Sequence, residues 1–146
     1  VDRDRPAQIG LFAAVCEQLH EEAEHAIEAD ADAQGSAFDG LTAGCLAFLD
    51  FMAAPQVRRI LILDAPSVLG WEAWNEMDRR HGFGLLIAGV RAAIDEGSLG
   101  GDPETLAVMI NGALNYGVVW AGHGEGPEAL MRLKSSFIET MARLRR

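Results

Sequence analysis

The sequence predicts an all-α bundle of about six helices, and three observations carry that prediction. Apolar residues recur at intervals of three and four along most of the chain, helix start and stop signals punctuate these stretches, and no convincing strand pattern occurs. With 146 residues, 49% of them apolar, the chain suits one domain around a single core. No apolar run reaches the ~18 charge-free residues that mark a membrane helix, so a soluble protein is expected.

Between Leu11 and about Ala29, the residues Leu11, Phe12, Val15, Leu19, Ala23 and Ile27 form one side of an amphipathic helix, with Glu17, Glu21, Glu24 and Glu28 opposite. ADADAQG breaks that pattern. Ser36 with Asp39 three residues on resembles a capping box, and it opens a second helix through Phe38, Leu41, Cys45, Phe48, Leu49 and Met52 to about Ala54. Pro55 fits the first turn of a short third helix that carries Val57, Ile60 and Leu61 and ends near Leu63. Asp64 as cap and Pro66 in the first turn make DAPS a tight corner into a helix bearing Trp71 and Trp74. A kink is expected at His81 and Gly82, followed by the stripe Phe83, Leu86, Ile87, Val90 and Ile94 and a left-handed cap at Gly97. Asp102 and Pro103 repeat the start signal for a helix through Leu106, Met109, Ile110, Leu114 and Val118 to about Trp120. GHGEG ends it. After Pro127, Leu130, Leu133, Phe137, Met141 and Leu144 form a packing seam on the last helix.

The formal net charge of -10 comes from 22 acidic against 12 basic residues, of which Lys134 is the single lysine. Such a surface repels phosphate backbones, so this chain by itself is a poor nucleic-acid binder. Cys16 and Cys45 form no disulfide framework, and with no basic, apolar leader in view the expected compartment is the cytoplasm. The short charged start, VDRDRPAQIG, has no core pattern of its own and is expected to be a remnant of something upstream.

Glu17 with His20 and Glu22 with His25 are two Glu-x-x-His spacings, the pairing used by di-iron carboxylate bundles. Five helical residues turn the chain by roughly 500°, so the two pairs point about 140° apart and cannot share an ion. A solvated acidic face is the preferred reading, with a metal-binding helical enzyme as the alternative. His81 and His123, beside glycines, are expected at the surface or core edge. Cys16 and Cys45 lie on apolar stripes and are expected to be small core residues rather than nucleophiles. Ser67 lacks a nucleophile elbow, and HGFG and GHGEG follow helices rather than strands, so neither is a phosphate cradle. No enzyme, metal or cofactor is predicted.

Binding is better supported. Phe48, Met52, Trp74 and Met77 supply large apolar surface of the kind that lines small-molecule cavities, although core packing explains it equally. Asn111 and Asn115, one turn apart on an apolar helix, must find partners, in a ligand or locally. Ala113, Gly117 and Ala121 form a small-residue stripe that admits a close helix neighbour, and with the seam of the last helix this suggests helix-pair dimerisation.

LILDAPSVLGWEAWNEMDRRHGFGLL, the following DEGSL and the later NGALN resemble the C-terminal effector-binding domain of TetR-family transcriptional regulators over roughly residues 11 to 146. LFAAVCEQLHEE is similar to the helix that connects this domain to the DNA-binding head. The helix-turn-helix head and its tyrosine-x-x-phenylalanine signature do not appear in the chain. The resemblance implies a dimeric regulator, usually a repressor, released by a small apolar or aromatic effector and meeting operator DNA only through that head. Effector binding would move the connecting helix and change the spacing of two heads. The last two helices would pair with their copies through Ala113, Gly117, Ala121, Leu130, Leu133, Phe137 and Met141. The pocket would draw on Phe48, Met52, Trp74, Met77, Asn111 and Asn115, with Trp74 lining it and Trp71 packing behind. A helical interaction module without a cavity is the remaining alternative.

Overall fold

A computed structural model describes residues 3–124 and 126–146, so expectations for Val1, Asp2 and Glu125 fall outside it. Helix α1 runs from Arg5–Asp32 with Pro6 in its first turn, absorbing most of the segment expected to be a remnant. Its inward face is turned from the expected one. Cys16, His20 and Ala23 are buried, while Leu11 and Val15 remain 69% and 39% exposed.

Helix α2 (Ala37–Met52) starts as the capping box predicts, with the Asp39 amide donating to Ser36 Oγ at 3.1 Å. A second cap arrives from 59 residues away: Glu96 accepts from the Ala37 and Phe38 amides at 2.8 and 3.2 Å. Phe38, Leu41, Cys45, Leu49 and Met52 face the core. Beside that stripe Gly40 and Gly44 let α1 approach closely, for a methyl at Gly40 would lie 3.1 Å from the Ala31 carbonyl oxygen.

The expected corner at DAPS is not there. The chain stays helical from Pro55 to Leu69 as α3 (Pro55–Arg58), a π-helical turn (Arg59–Asp64) and α4 (Ala65–Leu69), at 94° to α2. Asp64 keeps helical angles and makes no side-chain cap bond. The wider turn leaves one carbonyl without its helical donor. In π register the Leu61 carbonyl would bond the amide five residues on, and that residue is Pro66, which has no N–H. Trp74 Nε1–H donates to it instead, at 2.9 Å. The corner lies at Gly70, whose φ of 85° and ψ of 157° suit only glycine.

Helix α5 (Trp71–Arg80) then meets α6 (Gly82–Glu96) at His81, where φ -113° and ψ -101° break the helix at the expected place. Gly97 closes α6 in the left-handed conformation, with φ 89°. Asp102 caps α7 (Pro103–His123) by accepting from the Thr105 amide at 2.9 Å, and α8 (Pro127–Leu144) completes the bundle. No strand occurs among the described residues, nor is any single helix there long and apolar enough to cross a membrane. The core gathers all the long helices, with Leu49, Val90, Cys16 and Met141 its largest fully buried side chains.

Candidate functional site

Small residues let α1, α2 and α6 close on one another around a space that α7 also borders. Gly40 and Gly44 on α2, Gly89 and Ala92 on α6 and Ala31 on α1 stand where larger side chains would close the contact, and a cavity of about 300 Å³ remains. Leu41, Cys45, Phe48, Leu85, Leu86 and Leu114 make its walls apolar. Glu28, Asp32 and Ser36 also line it, and among the described residues no lysine or arginine does. This volume lies at the lower end of small-molecule sites.

A narrow cleft of about 20 Å³ adjoins it, and Ile27, Phe48 and Gly82 belong to both. Of the residues predicted to line a pocket, Phe48 borders both spaces, Asn111 the larger, and Met52, Trp74 and Asn115 the cleft. Met77 is buried in the core and lines neither. Trp71 is 65% exposed and covers Trp74 from outside, ring centroids 5.1 Å apart, rather than packing in the core. Asn111 finds its partner on another helix, donating to Asp78 Oδ2 of α5 at 3.3 Å. Burial raises the Asp78 pKa, with the Asn111 bond and the charge of His81 opposing. The sequence reading missed Gly40, Gly44 and Gly89. Their signal is a glycine recurring beside an apolar stripe, where leucine would fill the core.

The break at His81 is tied to α1. Its Nε2 lies 2.5 Å from Glu17, its Nδ1 bonds Glu24, and Arg80 reaches Glu17 at 2.5 Å. The α1 face expected to be solvated acid is therefore partly an interior one, and His81 is a half-buried bridge. Burial alone would lower the His81 pKa, yet the Glu17 and Glu24 carboxylates outweigh it and raise it. Glu17, raised by burial alone, is held low by Arg80 and His81. His20 stacks on His81 with centroids 5.2 Å apart, its Nε2 buried without a partner. Burial, helped by the His81 charge, lowers its pKa to about 4. Burial pushes the Cys16 thiol up to about 11 and Cys45 to about 12, so both are unreactive core residues. Among the described residues no three His, Cys, Asp or Glu side chains are placed to share a metal ion.

The stripe predicted to pair with a second copy is largely used inside the chain. Met141 is 1% exposed, Leu130, Leu133 and Phe137 pack on the core, and a methyl at Gly117 would meet Leu133 at 2.9 Å. Ala121 is half-buried, and only Ala113 is exposed. The outward faces of α7 and α8 carry other apolar residues, Val108, Met109, Tyr116, Trp120, Met131 and Ile138.

An all-α domain with an apolar cavity set against a long N-terminal helix is the class that this geometry defines. Residues 38–144 match the family model described as tetracyclin repressor-like, C-terminal domain, and the chain belongs to that family. A search of curated protein sequences found no match. Among solved structures, a TetR-family transcriptional regulator from Pectobacterium atrosepticum superposes with a TM-score of 0.79 at 28% identity, covering 93% of this chain and 70% of that one.

Proposed function

We propose that this chain is the sensing and dimerising part of a cytoplasmic transcriptional repressor, released from operator DNA when a small apolar or aromatic effector enters the cavity between α1, α2 and α6. The cavity is the observation that carries this reading, since its walls are apolar and its position touches the helix that would lead to a DNA-binding head. Acidic groups in the lining, with no lysine or arginine there among the described residues, favour an uncharged or cationic effector over an organic anion.

Coupling would run through His81. An effector beside Gly82 presses on the α5–α6 break, and the Glu17 and Glu24 contacts carry that movement to α1. Such a ligand shifts the population only as far as it prefers one arrangement over the other. Dimerisation is assigned to the outward faces of α7 and α8, where Met109 and Tyr116 are 71% and 73% exposed. Large apolar side chains exposed on two neighbouring helices mark an interaction surface. DNA would be met only through a head outside this chain.

A melting screen against uncharged, cationic and anionic aromatic compounds tests the sensing role. A compound at 100 times its Kd raises stability by about 2.7 kcal/mol, and the uncharged and cationic sets should supply it. A screen in which no compound raises the melting temperature removes the effector reading.

A further inference from the structure

A second, partly open cavity lies between the end of α2, α3, α7 and the start of α8, and its volume of about 390 Å³ exceeds that of the first. Leu49, Val118 and Leu130 give it an apolar interior, and Arg58 is the only charged residue among the described ones lining it. The arginine is held there. Its guanidinium lies over Gly122 of α7, where a methyl group would overlap it, and its Nε is buried with no hydrogen-bond partner.

We propose that this cavity is a second ligand site, which takes an amphiphilic organic anion with its acidic head on Arg58 and its hydrocarbon part along Leu49, Val118 and Leu130. A planar guanidinium fork matches the two oxygens of a carboxylate or phosphate, and an anion would complete the unpaired Nε. The two cavities differ in sign among the described residues: acid borders the first and the Arg58 cation the second. One domain thereby discriminates two ligand classes at two places. The site adjoins α7 and α8 through Ala121 and Leu130, so its occupant would act on the helices assigned to dimerisation rather than on α1.

Decanoate, decanol and inorganic phosphate, titrated separately into this chain labelled with 15N, test the proposal without reference to the first cavity. Decanoate should shift the amides of Gly122 and Gly126 in a saturable way and leave Gly44 and Gly89 in place. Decanol, without the charge, and phosphate, without the tail, should each bind at least about tenfold more weakly. Arg58→Gln should weaken decanoate by a similar factor, with Arg58→Lys intermediate because it keeps the charge and loses the fork. If Arg58→Gln does not fold, Gly122→Ala displaces the guanidinium while retaining its charge and should also weaken decanoate. Equal binding of decanol and decanoate, unchanged affinity in Arg58→Gln or in Gly122→Ala, or shifts confined to Gly44 and Gly89 would each overturn the site.

Discussion

The indole N–H of Trp74 donates to the carbonyl oxygen of Leu61 at 2.9 Å, thirteen residues back along the chain. Pro66 cannot supply the amide that this carbonyl would meet in a π turn, and the tryptophan fills the gap. One side chain thus satisfies a backbone group, fastens α5 across the Gly70 corner and borders the cleft beside the first cavity.

Replacing Trp74 by phenylalanine keeps an aromatic ring and strands the Leu61 carbonyl. The expected loss is about 1–3 kcal/mol in urea unfolding, the cost of an unsatisfied buried acceptor. Trp71→Phe, at a ring 65% exposed, should change stability by less than about 0.5 kcal/mol. Equal effects of the two substitutions would contradict the hydrogen bond as the cause.

Acid should destabilise the protein through His20. Its folded pKa of about 4 lies below the ordinary 6.5, so the neutral ring contributes stability that is complete above pH 6.5 and lost as pH falls towards 4. His81 has the opposite sign. Its pKa is raised, so its contribution is complete below pH 6.5 and lost as pH climbs through the raised value. Denaturant midpoints between pH 4 and 9 should flatten on the acid side in His20→Gln and on the alkaline side in His81→Gln. A wild-type acid limb unaltered in His20→Gln would refute the first assignment.

Filling the first cavity should remove sensing without unfolding the chain. Ala92 is an exposed lining residue, so Ala92→Phe is expected to hold stability within about 0.5 kcal/mol. It should weaken binding of the uncharged dye Nile red, read by fluorescence, at least about tenfold. Unchanged dye affinity would place the dye elsewhere.

Oligomeric state should respond to Met109 and Tyr116 and not to the seam on α8. Tyr116→Glu combined with Met109→Glu puts charge on side chains that are 73% and 71% exposed, so the fold should survive while sedimentation moves to monomer. Phe137→Glu, by contrast, should lower stability by about 2–4 kcal/mol, since it charges a ring packed on the core. A double variant that remains dimeric would move the interface to another face.

Much of the helix order was legible because its signals are local. Ser36 with Asp39, Asp102 with Pro103, and Gly97 each act within one turn, and each does so in the structure. DAPS misled for the same reason: aspartate before proline is a sound start signal, but the tryptophan eight residues after Pro66 rescues the backbone and lets the helix continue. The seam of α8 was legible as apolar and not as inward or outward. Periodicity gives a face its composition; what the face meets depends on neighbours that lie far away in the chain.

The sequence by itself determined an all-helical domain with one core, an acidic surface and caps at most of the right residues, because these follow from composition, spacing and single-turn chemistry. It also carried the family likeness. Tertiary structure alone decided that Glu17 and Glu24 close on His81, that Glu96 caps α2, and that Gly40, Gly44 and Gly89 meet around an empty volume. Each of those relations joins segments more than forty positions apart, and only the packing of helices sets which side chains share a space.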